Sequence, residues 1–271
     1  MGNYRPRRRT LGALATGVAL SGVAASSGWA AGRGEATGTK PTVVLVHGVF
    51  ADASGWNATI ASLQYTGFPV LAVANPLRDL AGDSAYVSGV LDTIPGPIIL
   101  VGHSYGGEVI TNAARGHANV KALVYVAAFA PDEGESALEL AGRFPGSKLP
   151  DALVFRPLPG GGTDGYIDPE KFRDVFAGDL PSARTRVMAA AQRPGAVEGL
   201  GAHSGDPAWR SLPSWYVIPT ADNVIPAAVQ RFMAERAGST TVEVEGASHV
   251  VMMSRPDIVV RQILAAFRAT R

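Results

Sequence analysis

The 271-residue sequence predicts an α/β fold, a doubly wound, mostly parallel sheet of about six strands with a helical cap insertion. Three observations carry this expectation. Apolar runs of strand length recur with helical stretches between them, the order of βαβ units. The runs are near-continuous rather than alternating, as strands covered on both faces should be. One of them, Ile98-Ile99-Leu100-Val101, ends in Gly102-His103-Ser104-Tyr105-Gly106 and passes at once into a helical pattern. A tight strand-to-helix turn that exposes a serine needs that context.

From the N-terminus, residues 1–30 read as an export signal. Arg5, Arg7, Arg8 and Arg9 precede a weakly apolar stretch rich in Gly, Ala and Ser, and Gly28-Trp29-Ala30 places small residues where a peptidase would cut, near Ala30. The arginines ahead of Thr10 and Leu11 resemble a twin-arginine signal, which implies a secreted or periplasmic protein with no stable membrane anchor. Residues 31–40 form a polar, Gly-rich linker. Strands are expected in "PTVVLVHG", "GFPVLAVANP", "GPIILVGHS", "NVKALVYVAAF", "PSWYVIPT" and "STTVEVEGA". Helices are expected over Gly55 to Tyr65, Ser84 to Thr93, Gly106 to Arg115, Ala227 to Ala237 and Pro256 to Ala269. Between Pro131 and Leu212 no convincing strand appears, only Gly/Pro-rich loops and helical patterns such as "DPEKFRDVFAGDL" and "PSARTRVMAAAQ". That interval is expected to be a cap over the carboxyl ends of the strands, where open α/β sheets bind ligands. Residues 41–271 thus form one domain with its cap at about 131–212.

Composition narrows the chemistry. With 46% hydrophobic and 17% charged residues the chain builds a sizeable core. Without the four N-terminal arginines, 20 basic groups face 23 acidic ones, and no basic block suggests nucleic acid. There is no cysteine, which excludes disulfides, thiolate metal sites and a thiol nucleophile. The five histidines lack metal-ligand spacing, no phosphate-binding glycine pattern occurs, and no cofactor is expected.

In the G-x-S-x-G turn, glycines two positions either side of Ser104 let strand and helix approach, while strained backbone angles lift the hydroxyl to the helix N-terminus. A serine needs a base, and the base an orienting acid. His47 and His103 lie in strand-end motifs, His117 closes the helix after the turn, and His203 falls in the cap. His249, in "VEGASHVVMM" past the last strand, is the candidate base, with His203 its rival. Asp222 follows "PSWYVIPT" and is the candidate acid, and it also has the place of an Asx turn or helix cap. Asp164, Asp168 and Asp206 read as turn or cap residues. For a developing oxyanion, the backbone N–H groups of Val49, after His47-Gly48, and of Tyr105 are the candidate donors. Phe50 takes the place of Val49 if the loop is turned by one residue.

Together, "HGVFADASGW", "VGHSYGGEVI", "PTADNVIPAAVQRFMAERAG" and "VEGASHVVMMSRPDIV" resemble the α/β-hydrolase superfamily. The likeness is to small bacterial hydrolases similar to plant methylesterases and hydroxynitrile lyases, and it runs from Thr42 to the C-terminal helix. It implies the triad Ser104, Asp222 and His249 and a small-molecule ester substrate. In the lyase branch a threonine follows the first strand-end histidine and a lysine sits beside the catalytic one. This chain has Gly48 and Val250 there, so ester hydrolysis is favoured over cyanohydrin cleavage. A cofactor-free perhydrolase, or a non-catalytic small-molecule binding protein on the same fold, is the alternative. Cap residues Phe155, Tyr166, Phe172, Phe176 and Trp209 are apolar enough to line a pocket or to form the cap's own core, and Gly160 to Gly162 are candidate lid hinges.

Overall fold

The computed structural model describes residues 40–159 and 161–271. The expected export signal and all of the linker but Lys40 lie outside them. In chain order the strands are β1 (Thr42–Val46), β2 (Val70–Val73), β3 (Ile98–His103), β4 (Val120–Val126), β5 (Leu153–Pro157), β6 (Thr163–Ile167), β7 (Gly195–Ala196), β8 (Ser214–Pro219) and β9 (Thr240–Val244). Six of them pair in parallel as one sheet in the order β2-β1-β3-β4-β8-β9.

The β-branched and aliphatic runs set this order of burial. Every residue of β3 and β8 is buried, and Ile98, Ile99, Leu100 and Val101 are fully so. Those four side chains alone bring roughly 6–12 kcal/mol of apolar transfer. The edges differ from the expectation of strands covered on both faces. In β2 only Val73 is buried, and in β9 only Val244, because an edge strand has one neighbour and less helix over it.

The chain runs from β1 outward to β2, then crosses back past β1 to β3 and continues to β4. With right-handed crossovers, the helix Asn57–Tyr65 and the helix Tyr105–Ala113 fall on opposite faces. The first packs with Pro256–Ala269, the second with Leu80–Asp92. Pro256–Ala269 buries Ile258, Val259, Ile263, Ala266 and Phe267, one stripe at helical spacing. Leu80–Asp92 starts at Asp79, whose carboxylate accepts from Gly82 N at 2.7 Å. The reversal between β1 and β3 opens a crevice at their carboxyl ends. No helix among the described residues is long and apolar enough to cross a membrane.

The cap departs from the sequence reading in one respect. Besides the helices Ala137–Ala141, Phe172–Phe176, Ser182–Ala191 and Val197–Leu200, it contains an antiparallel sheet in the order β5-β6-β7. Its strands are short, and β5 is largely exposed, so no run of buried side chains announced it. Gly161 and Gly162, expected as lid hinges, turn the β5–β6 hairpin with φ of 105° and 89°. Phe172 and Phe176 are fully buried, whereas Phe155 is 55% exposed.

Candidate active site

Four loops meet at the carboxyl ends of β1, β3, β8 and β9. Ser104 follows β3 at φ 56° and ψ −129°, a backbone region that L residues reach only under strain. A Cβ on Gly102 would lie 2.6 Å from Gly106 O, and one on Gly106 would lie 2.5 Å from Val46 O. Only glycine permits the approach at both places, which explains the spacing around the serine. Gly48 passes directly over the turn, where a Cβ would come within 2.6 Å of Ser104 Cβ.

His249 follows β9, and its Nδ1 donates to Asp222 Oδ2 at 2.8 Å, with both side chains fully buried. Its Nε2 is buried and has no hydrogen-bond partner among the described residues. In that tautomer Nε2 is a free lone pair, the form a general base needs. The neighbour of Ser104, His103, connects the two loops: its Nε2–H donates to the His249 carbonyl at 3.0 Å, and the two rings lie 4.7 Å apart. Burial pushes His103 well below its ordinary pKa, so it stands beside His249 as a neutral ring.

Asp222 is oriented from three sides. Its Oδ1 accepts from Val224 N at 2.8 Å and Ile225 N at 2.9 Å, closing the Asx turn. Its Oδ2 accepts from Gln230 Nε2 at 2.8 Å as well as from His249. Gln230 also donates to Ile225 O at 2.7 Å, which holds its amide in one orientation.

The N–H groups of Val49 and Tyr105 have no partner among the described residues. The Tyr105 side chain is anchored, its hydroxyl donating to Asp83 Oδ2 at 3.0 Å, and burial raises its pKa. Phe50 takes a different part from the one considered in sequence: at φ 62° its N–H turns away and donates to Arg193 O of the cap at 2.8 Å. His47 is buried, with Nδ1 against Gly48 O at 2.9 Å, and burial lowers its pKa.

The set is enclosed. Ser104 is 1% exposed and His249 fully buried. Phe176 of the cap lies 5.1 Å from the His249 ring and 6.1 Å, edge to face, from Phe50. Beside them is an apolar cavity of about 110 Å³ lined by Phe50, Phe176, Met188, Val250, Met252 and Met253. A larger open groove, near Arg115, His117 and Lys121, sits at the far end of the helix Tyr105–Ala113 and does not reach these groups. His203 is also remote, 3.7 Å from Glu139 and largely exposed.

Gln230 and Arg193 escaped the sequence reading, and His103 entered it only as part of a strand-end motif. Gln230 carried a signal, since it shares the buried stripe of its helix with Met233 and Ala234. The partners of the His103 ring and of Phe50 N–H are main-chain carbonyls, of His249 and Arg193, which leave no mark in side-chain pattern.

Comparisons with known proteins agree with this architecture. Residues 43–262 match the model of the alpha/beta hydrolase family. The chain is 28% identical over 246 residues to a pyrethroid hydrolase of Sphingobium wenxiniae, covering 81% of this chain and 85% of that protein. It is 37% identical over 113 residues to a carbendazim hydrolyzing esterase of Nocardioides, covering 36% and 46% respectively. Among solved structures, polyneuridine aldehyde esterase superposes with a TM-score of 0.73 at 21% identity, over 84% of this chain and 99% of that one.

Proposed function

Because the chain belongs to the alpha/beta hydrolase family, with residues 43–262 matching its model, we propose that it hydrolyses small-molecule carboxylic esters with Ser104, His249 and Asp222 as its triad. The observation that carries this is the buried His249–Asp222 pair at 2.8 Å, its remaining imidazole nitrogen unpartnered, beside a strained serine turn. Relatives named as hydrolases and esterases point to the same reaction.

In this reading Ser104 Oγ attacks the ester carbonyl carbon as its proton passes to His249 Nε2. The carbonyl oxygen becomes an oxyanion that accepts from Val49 and Tyr105 N–H. Collapse breaks the bond to the alcohol, which leaves with the proton from Nε2. Water then attacks the acyl-enzyme and gives a proton to Nε2, and collapse releases the acid and returns that proton to Ser104. Asp222 holds the tautomer and stabilises the imidazolium in both halves.

Hydrolysis of p-nitrophenyl esters of increasing acyl length, with fluorophosphonate labelling, tests this. The wild-type protein is expected to turn over short esters and to label at Ser104, and Ser104→Ala to do neither. Turnover by Ser104→Ala would remove the mechanism. A wild-type protein that binds esters without hydrolysing them would favour a binding role. Peracid formation from acid and peroxide is the test for perhydrolase activity. Export through a twin-arginine signal rests on the N-terminal sequence alone, and the N-terminus of protein recovered outside the cytoplasm checks it.

A further inference from the structure

The oxyanion loop is tied to the cap at one place. Phe50 N–H donates to Arg193 O at 2.8 Å, and Arg193 Nη1 lies 3.4 Å from His47 Nε2. The next cap residues are fastened too: Ala196 N donates to Leu77 O at 3.1 Å, and Arg78 Nη2 to Pro194 O at 3.1 Å. Gly195 packs directly on Val49, with no room for a Cβ.

Resting on the hydrolase reading, we propose that Arg193 is a positioning residue for the oxyanion hole, steering the Val49 N–H through His47 and Phe50. The chemistry of one peptide unit explains how. No peptide bond in the described residues is cis, so the Gly48 carbonyl and the Val49 N–H point in opposite directions from a single plane. His47 Nδ1–H donates to that carbonyl at 2.9 Å and holds it on the His47 side. With the carbonyl so held, the opposite direction of the Val49 N–H is set as well. For Nδ1 to carry the proton in a neutral ring, Nε2 must be an acceptor, and Arg193 Nη1–H is the donor facing it. His47 O is held as well, accepting from Asn75 Nδ2 at 3.0 Å. On the other side of Val49, the Phe50–Arg193 bond fixes the left-handed turn at φ 62°. The donor therefore has its direction set from both neighbours, and one cap residue supplies a contact to each.

Variants of Arg193 separate the cap's contribution to catalysis from its contribution to substrate binding. Arg193→Met removes the guanidinium and leaves the main-chain bond to Phe50. With p-nitrophenyl acetate its kcat is expected to fall about tenfold, less than the roughly hundredfold or greater loss when an oxyanion donor is deleted outright, while KM stays within about twofold. Arg193→Lys, which keeps an N–H donor, is expected to recover most of the loss. In a double-mutant cycle, Arg193→Met is expected to cost little in a His47→Gln background, because both act on the same peptide. A trifluoromethyl ketone, bound as its oxyanion, should lose affinity by the same factor as kcat, whereas the product acid should not. Thermal melting of each variant checks the fold. A rise in KM alone, additive losses in the cycle, or unchanged ketone affinity would overturn the proposal. If Arg193→Met matches wild type while Ser104→Ala is dead, only this inference fails; if Ser104→Ala is active, the hydrolase reading fails first.

Discussion

Replacing Asp222 by asparagine separates the geometry of the proposed triad from its chemistry, since the surrounding hydrogen bonds dictate how the new amide must sit. The Oδ1 position faces two backbone N–H groups, from Val224 at 2.8 Å and Ile225 at 2.9 Å, so the amide oxygen must take it. The NH₂ then occupies the Oδ2 position, facing His249 Nδ1 and Gln230 Nε2, both at 2.8 Å and both donors at present. His249 answers by moving its proton to Nε2, and the base is lost. Loss of the tautomer costs on the order of 10⁴ in kcat, about 5 kcal/mol of barrier. Gln230 has no such escape, because Ile225 O holds its NH₂ where it is. Two buried donors then face each other, at roughly 1–3 kcal/mol of stability. Asp222→Asn should therefore lose both activity, measured with p-nitrophenyl acetate, and stability, measured by urea unfolding. The double variant Asp222→Asn with Gln230→Met removes the clash and should regain stability without regaining kcat. Activity of Asp222→Asn within tenfold of wild type, or its rescue by Gln230→Met, would refute the assigned role of Asp222.

Three further outcomes are expected. Ser104→Gly and Ser104→Ala should both be inactive, but glycine relaxes the φ of 56° and alanine does not, so calorimetry should find the glycine variant more stable by about 1–2 kcal/mol. His103→Phe keeps an aromatic ring but removes the donor to the His249 carbonyl; kcat should drop roughly tenfold or more, with the acyl-enzyme still forming at Ser104. Glu108 is buried with neither oxygen in a well-formed hydrogen bond, and burial pushes its carboxyl well above the ordinary range. The folded protein thus holds this proton more tightly than the unfolded chain. The stability linked to it is complete below about pH 4.5 and is lost as pH rises to the folded pKa. Relative to wild type, Glu108→Gln should gain stability across that window by up to ~1.4 kcal/mol per pH unit; a difference independent of pH in urea titrations would contradict the assignment.

The central sheet was legible because burial on both faces leaves an unbroken apolar run, as in "IILV" of β3 and "WYVI" of β8. The edges were less so, since β2 and β9 use similar residues for a half-exposed role. The serine turn was legible through a steric rule, glycine where a Cβ would meet backbone. Asp222 and His249 were read as acid and base from their places after strands and from chain order, and the structure sets them 2.8 Å apart. What sequence does not display is contact with main-chain groups distant in the chain. The Phe50–Arg193 and His103–His249 bonds each span more than a hundred residues and depend on one carbonyl that any amino acid would supply. The cap sheet was hidden for a related reason: strands of two to five residues paired in antiparallel need no apolar period.

Mixing enzyme with p-nitrophenyl acetate, quenching in acid within the first turnovers and sequencing the peptides by mass spectrometry interrogates the covalent intermediate itself. The acetyl group should appear on Ser104 at near-stoichiometric level, in step with a burst of p-nitrophenolate, and should be missing from Asp222→Asn. Sustained turnover with Ser104 unmodified at every quench time would contradict the acyl-enzyme mechanism.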